Sequence, residues 1–143
     1  MNMKVVYASL AAGVFSFLLG WLLWDMMGLM NYYSHNMTPA YNGIMKEKVN
    51  MNMLGMIISN LAFGAMVGWA MWRMGANTAM AGFMAAAILG GLFAISLDMF
   101  FYSMMNMYAN KMIVIVDVLV SAVTTGLAGA VAGQVLGMGK KAA

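Results

Sequence analysis

Four long stretches of the chain carry almost no charge, and three polar interruptions separate them. The apolar runs cover residues 5–30, 51–74, 79–104 and 112–137. A helix needs about 20 apolar residues to cross a bilayer, so every run is long enough. None shows the water-facing polar stripe that a helix of a soluble bundle requires. The pattern predicts an all-α, integral membrane four-helix bundle, a single transmembrane domain over residues 1–143. The first interruption, 31–50, is an outer loop holding His35, the lone proline Pro39, and Lys46, Glu47 and Lys48. Residues 75–78 make a tight turn, and 106–111 lead into the last run. Trp21, Trp24, Tyr32 and Tyr33 sit near one run end, Trp69 and Trp72 at another, and Phe100, Phe101 and Tyr102 at a third. Aromatic clusters at these places suit interfacial belts. The first run, behind Lys4, is too long for a signal peptide and is read as a retained crossing.

Small residues recur every fourth position inside the runs. Gly137, Gly133 and Gly129 continue through Thr125 and Ser121 to Asp117, and Gly82, Ala86, Gly90 and Ala94 lead to Asp98. Asn60, Gly64 and Gly68 form a third ridge; Ala8, Ala12, Ser16 and Gly20 form a fourth, with Asp25 one residue off its row. Residues four apart share a helix face, and lipid tails are as apolar as leucine. Close backbone approach across small residues therefore supplies the contact that the hydrophobic effect does not. Gly64, Gly68, Gly82, Gly90, Gly129, Gly133 and Gly137 are the candidate packing positions, either within the bundle or between copies. A faint repeat accompanies the ridges. Setting Asp25 on Asp98 pairs Ala12 with Ala85 and Leu19 with Leu92; setting Gly64 on Gly126 pairs Ser59 with Ser121. Two parallel helical-hairpin repeats would produce it.

Polar side chains gather at one depth. Asp25, Asn60, Asp98 and Asp117 fall roughly 6–14 Å below one interface, at about 1.5 Å per residue. Intramembrane acids usually face the bundle interior or a wet cavity. The layer can hold a proton or cation, or it can clamp helices through hydrogen bonds, with Lys111, Tyr32, Tyr102 and Tyr108 as partners. The other half of the bundle offers little polar lining beyond Ser16, Thr124, Thr125 and Gln134.

Composition narrows the chemistry. Hydrophobic residues make up 64% of the 143 and charged ones 8%, far below the quarter usual in soluble domains. No cysteine occurs, which excludes disulfides and thiolate chemistry. One loop histidine, no Ser/His/Asp spacing and no phosphate-binding loop predict no enzyme and no cofactor. The net charge of +3 comes from scattered residues, so no nucleic-acid partner is expected. Lys4, Arg73, Lys140 and Lys141 lie on one side, and Lys46, Lys48 and Lys111, with Glu47, on the other. That imbalance favours both termini in the cytoplasm. Twenty-one methionines raise one further option. Thioethers bind Cu(I), and His35, Met51, Met53, Met105 and Met107 are the candidate ligands, though methionine also serves as an adaptable apolar filler.

The segments from Leu97-Asp98-Met99 to Met105-Asn106-Met107 and from Val116-Asp117-Val118 to Gly139-Lys140-Lys141, with the run opening at Ala8, resemble a group of small uncharacterised bacterial four-helix membrane proteins. The resemblance implies a non-enzymatic inner-membrane bundle and assigns no activity to Asp25, Asp98 or Asp117. The leading functional expectation is a packing or accessory component in the bilayer, as a homo-oligomer or a subunit of a larger membrane complex. The alternatives are a small cation or proton-coupled transporter or channel using the aspartate layer, and a methionine-rich copper-handling protein.

Overall fold

The chain folds into an all-helical bundle in a computed structural model, which describes residues 2–139 and leaves Lys48 without a described side chain. Lys140 and Lys141 lie outside the described residues. Helix α1 (Met3–Trp21) runs into a π-helical turn (Leu22–Met26), followed by short α2 (Leu29–Asn36) and α3 (Pro39–Ile44). After a 3-10 turn come α4 (Met53–Arg73), α5 (Ala79–Met104) and α6 (Met112–Gly137). Four segments are long and apolar enough to cross a membrane: Met3–Met26, Met53–Arg73, Ala79–Met104 and Met112–Gly137.

Side-chain caps set the starts of three of the four long helices, α1, α4 and α5. Asn2 accepts from the Lys4 amide, Asn52 from Gly55 and Thr78 from Ala81, each at 3.1 Å. These bonds satisfy amide donors that the first helical turn leaves unpaired. The turn expected at 75–78 contains Gly75 at φ +70°, and the Ala76 amide reaches back to the Met71 carbonyl at 2.9 Å.

Two boundaries differ from the sequence pattern. The first apolar run continues to Met30, but the span ends earlier. The Met27 amide bonds to the Leu22 carbonyl in an i→i+5 step, and Gly28 then adopts φ +73°, which reverses the chain. The expected loop 31–50 contains α2, α3 and the 3-10 turn. Thr38 caps α3, with Pro39 in its first turn.

Apart from Gly20, which has nothing within 4 Å of an added Cβ, the glycines of the small ridges face other helices of the same chain. α1 packs on α4, and a Cβ added at Gly64 would strike the backbone of Gly13 and Ser9. Gly68 meets Ser9 in the same seam. α5 packs on α6 along a second seam, where Gly82 abuts Gly129, Gly90 abuts Thr125, and Gly133 and Gly137 meet the carbonyls of Thr78 and Asn77. Each hairpin is thus joined by its own small-residue seam, and α6 lies against α1 to unite the two. α4 and α5 follow one another through a short turn yet scarcely touch. A cleft separates them, floored by α6. The buried core, including Ala8, Ala12, Met71, Ala86, Ala128 and Ala132, fills the half of the bundle nearer the termini. At that end Lys4 Nζ donates to the Met138 carbonyl at 2.6 Å, so the two ends of the described chain lie side by side.

Candidate functional site: an aspartate pair at the end of an apolar cleft

The cleft between α4 and α5 encloses about 590 Å³. Phe63, Met66, Val67, Ala70 and Met71 line it from α4; Leu89, Phe93, Leu97 and Phe101 are among its α5 walls. α6 contributes Asp117, Ser121, Thr124 and Thr125. Met66, Leu89, Phe93 and Leu97 are also exposed on the outer surface of the bundle, so the cleft opens sideways. Among the described residues the only ionisable groups lining it are Asp98 and Asp117, both near the loop end of their helices.

Asp98 is only 7% exposed. The Tyr108 hydroxyl donates to its Oδ1 at 3.0 Å, while among the described residues no hydroxyl or N–H donates to the buried Oδ2. The neighbouring group is the Asp117 carboxyl, close enough to interact with it directly. Two carboxylates are both acceptors, so a hydrogen bond between them needs a proton on one. The Tyr33 hydroxyl donates to Asp117 Oδ1. Burial, and then the hydrogen bonds to the two aspartates, push the phenols of Tyr33 and Tyr108 well above the usual tyrosine range.

Both tyrosines come from connecting segments, which are latched together over the loop end. Met37 and Tyr108 form an isolated antiparallel bridge. The Thr38 amide donates to the Met107 carbonyl at 3.0 Å, and the Ala109 amide donates to the Asn36 carbonyl at 2.9 Å. Asn110 Nδ2 bonds to Asn36 Oδ1 at 3.0 Å. Tyr33 also packs against Trp24, with ring centroids 4.7 Å apart. The segments therefore form a cap that lowers one hydroxyl onto each carboxyl.

The predicted polar layer divides. Asp98 and Asp117 meet. Asn60 joins Asp117 in lining a second, smaller cavity of about 240 Å³ between α1, α4 and α6, while its side-chain amide donates to the Met56 carbonyl in its own helix. Asp25 is exposed on the π-helical turn and lines neither cavity. The row Ser16, Gly20 leads instead to Trp24, which lines the smaller cavity while remaining partly exposed. The partners differ as well. Tyr108 reaches an acid, but Tyr33, adjacent to the anticipated Tyr32, is the second donor. Lys111 lies over the Tyr102 ring at 5.9 Å. Tyr33 carried no distinguishing signal, because its position depends on the chain reversal at Gly28.

The copper candidates lie on three segments: His35 on α2, Met51 and Met53 at the entry to α4, and Met105 and Met107 on the α5–α6 connection, where the Met107 carbonyl accepts from Thr38. His35 is exposed, with Nδ1 2.6 Å from the Asn31 carbonyl of its own helix. Met51 lines a surface cavity with Met45 and Met56, and Met53 opens α4. Among the described residues no group of three His, Cys, Asp or Glu side chains is arranged to hold a metal ion. The chain matches no protein-family model, no curated protein and no solved structure.

Proposed function

We propose that this is a small proton-coupled cation transporter of the membrane, with Asp98 and Asp117 forming its exchangeable site. The observation that carries this reading is the buried Asp98 carboxyl directly beside that of Asp117, a pair able to share one proton, at the end of an open cleft. Intramembrane acids facing a cavity commonly mark ion or proton pathways. The setting belonging to this reading is a bacterial inner membrane with both termini cytoplasmic, favoured by Lys4, Arg73, Lys140 and Lys141.

Assembly as an accessory subunit or homo-oligomer would need a surface other than the glycine ridges, since their close contacts are made within the chain. The test of the transport reading is flux in proteoliposomes under an imposed proton gradient, with sodium, potassium and tetraphenylphosphonium offered in turn. At least one cation should move against protons, and Asp98→Asn and Asp117→Asn should abolish the exchange while keeping wild-type helix content. The reading fails if no cation exchanges for protons, or if folded variants exchange as the wild type does.

A further inference from the structure

We infer that the cleft takes a lipophilic organic cation, which enters sideways from the bilayer between α4 and α5 and sets its charge against Asp98 and Asp117. This rests on the proposed transport role and names its substrate class. The cleft and such a ligand are complementary in shape, polarity and charge. The long walls are Phe63, Met66, Val67, Leu89, Phe93 and Leu97, which offer nothing to replace the water around a small inorganic ion. An apolar body finds the opposite: aromatic and aliphatic contact, and a volume within the roughly 300–1,000 Å³ of ordinary ligand sites.

Polarity is confined to the α6 floor and the loop end. Among the described residues no lysine or arginine lines the cleft, and its two ionisable groups are both acids. Asp98 is more than nine-tenths buried, and the only partner its Oδ2 has among the described residues is the proton it can share with Asp117, so the pair is a concentrated negative site for a cation's charge. An ammonium or phosphonium centre beside it takes the place of a shared proton. That substitution supplies the coupling: the pair accommodates a proton or the cation, and the arrival of one favours the departure of the other. Because the mouth is flanked by exposed Met66, Leu89, Phe93 and Leu97, the ligand needs no polar route through the apolar half of the bundle.

The probe is tetraphenylphosphonium, with tetraphenylborate as an anion of nearly the same size and shape. Binding is measured to the full chain in phosphatidylcholine nanodiscs, with empty nanodiscs subtracted. The expected result is saturable 1:1 binding of the cation and none of the borate. Asp98→Asn should weaken the cation at least tenfold, Asp98→Glu should restore most of it, and Met66→Trp should obstruct the mouth and lower occupancy with the acids intact. Equal binding of both ions by the wild type overturns the inference without reliance on any variant. So does cation binding indifferent to Asp98→Asn, or a tightly held phospholipid that the cation does not displace. Failure here with sodium or potassium still exchanging for protons removes the substrate class and leaves the transport reading. Tetraphenylphosphonium binding without any cation–proton exchange does the reverse.

Discussion

The hydroxyl of Tyr33, just beyond the first membrane-length segment, donates to the carboxyl of Asp117 in the last. A loop side chain thereby closes a site whose acids belong to two different helices. Tyr108 performs the same task for Asp98. The relationship joins the local backbone to the site's chemistry, since Tyr33 reaches Asp117 only after the chain reverses at Gly28.

Among the six tyrosines, Tyr33 and Tyr108 should ionise last in an alkaline titration followed by ultraviolet absorbance. Both phenols are raised above the usual value of about 10 by burial and by donating to aspartate. The sign follows: a raised folded value favours the protonated phenol, so the stabilisation is complete below about pH 10 and disappears as pH climbs through the folded values. Tyr33→Phe and Tyr108→Phe should each remove one late-ionising group. Six tyrosines titrating together would contradict the capped arrangement.

Gly28→Ala should loosen the cap. A left-handed conformation costs a residue with a Cβ about 1–2 kcal/mol, and Gly28 stands at φ +73°. Hydrogen–deuterium exchange should quicken at the amides of Thr38 and Ala109, which bind across the two connecting segments, while the α5–α6 seam stays protected. Unchanged exchange at Thr38 and Ala109 would show that the reversal does not hold the latch.

Gly82→Ala and Gly64→Ala should each destabilise the bundle by about 1–3 kcal/mol, the usual cost of overpacking. A Cβ at either position meets the backbone of a facing helix. Gly20→Ala is the matched control, because nothing lies within 4 Å of the added atom. Thermal unfolding in one detergent should rank Gly20→Ala with the wild type and the other two below it. Equal midpoints for all three would argue against these seams.

The four long helices were legible because length and lack of charge suffice to predict them, and Asp98 and Asp117 shared a depth by simple counting from the run ends. The four-residue ridges were legible too, although spacing cannot say whether a partner lies in the same chain. Asp25 was misleading for a geometric reason: its row passes through Trp24, and the π-helical turn comes before any further inward position. The cleft was hidden altogether. It exists because α4 and α5 diverge after their short turn, a consequence of α4 packing on α1 while α5 packs on α6. No periodicity within one helix encodes that choice.

The central claim is that Asp98 and Asp117 form one exchangeable acid site, and infrared difference spectroscopy of the protein in nanodiscs, with buffer pH stepped, addresses it most directly. The account predicts a pH-dependent carboxylic C=O band in the wild type that shifts in Asp98→Asn and in Asp117→Asn and vanishes when both are replaced. A doubly substituted protein whose difference spectrum matches the wild type would contradict it.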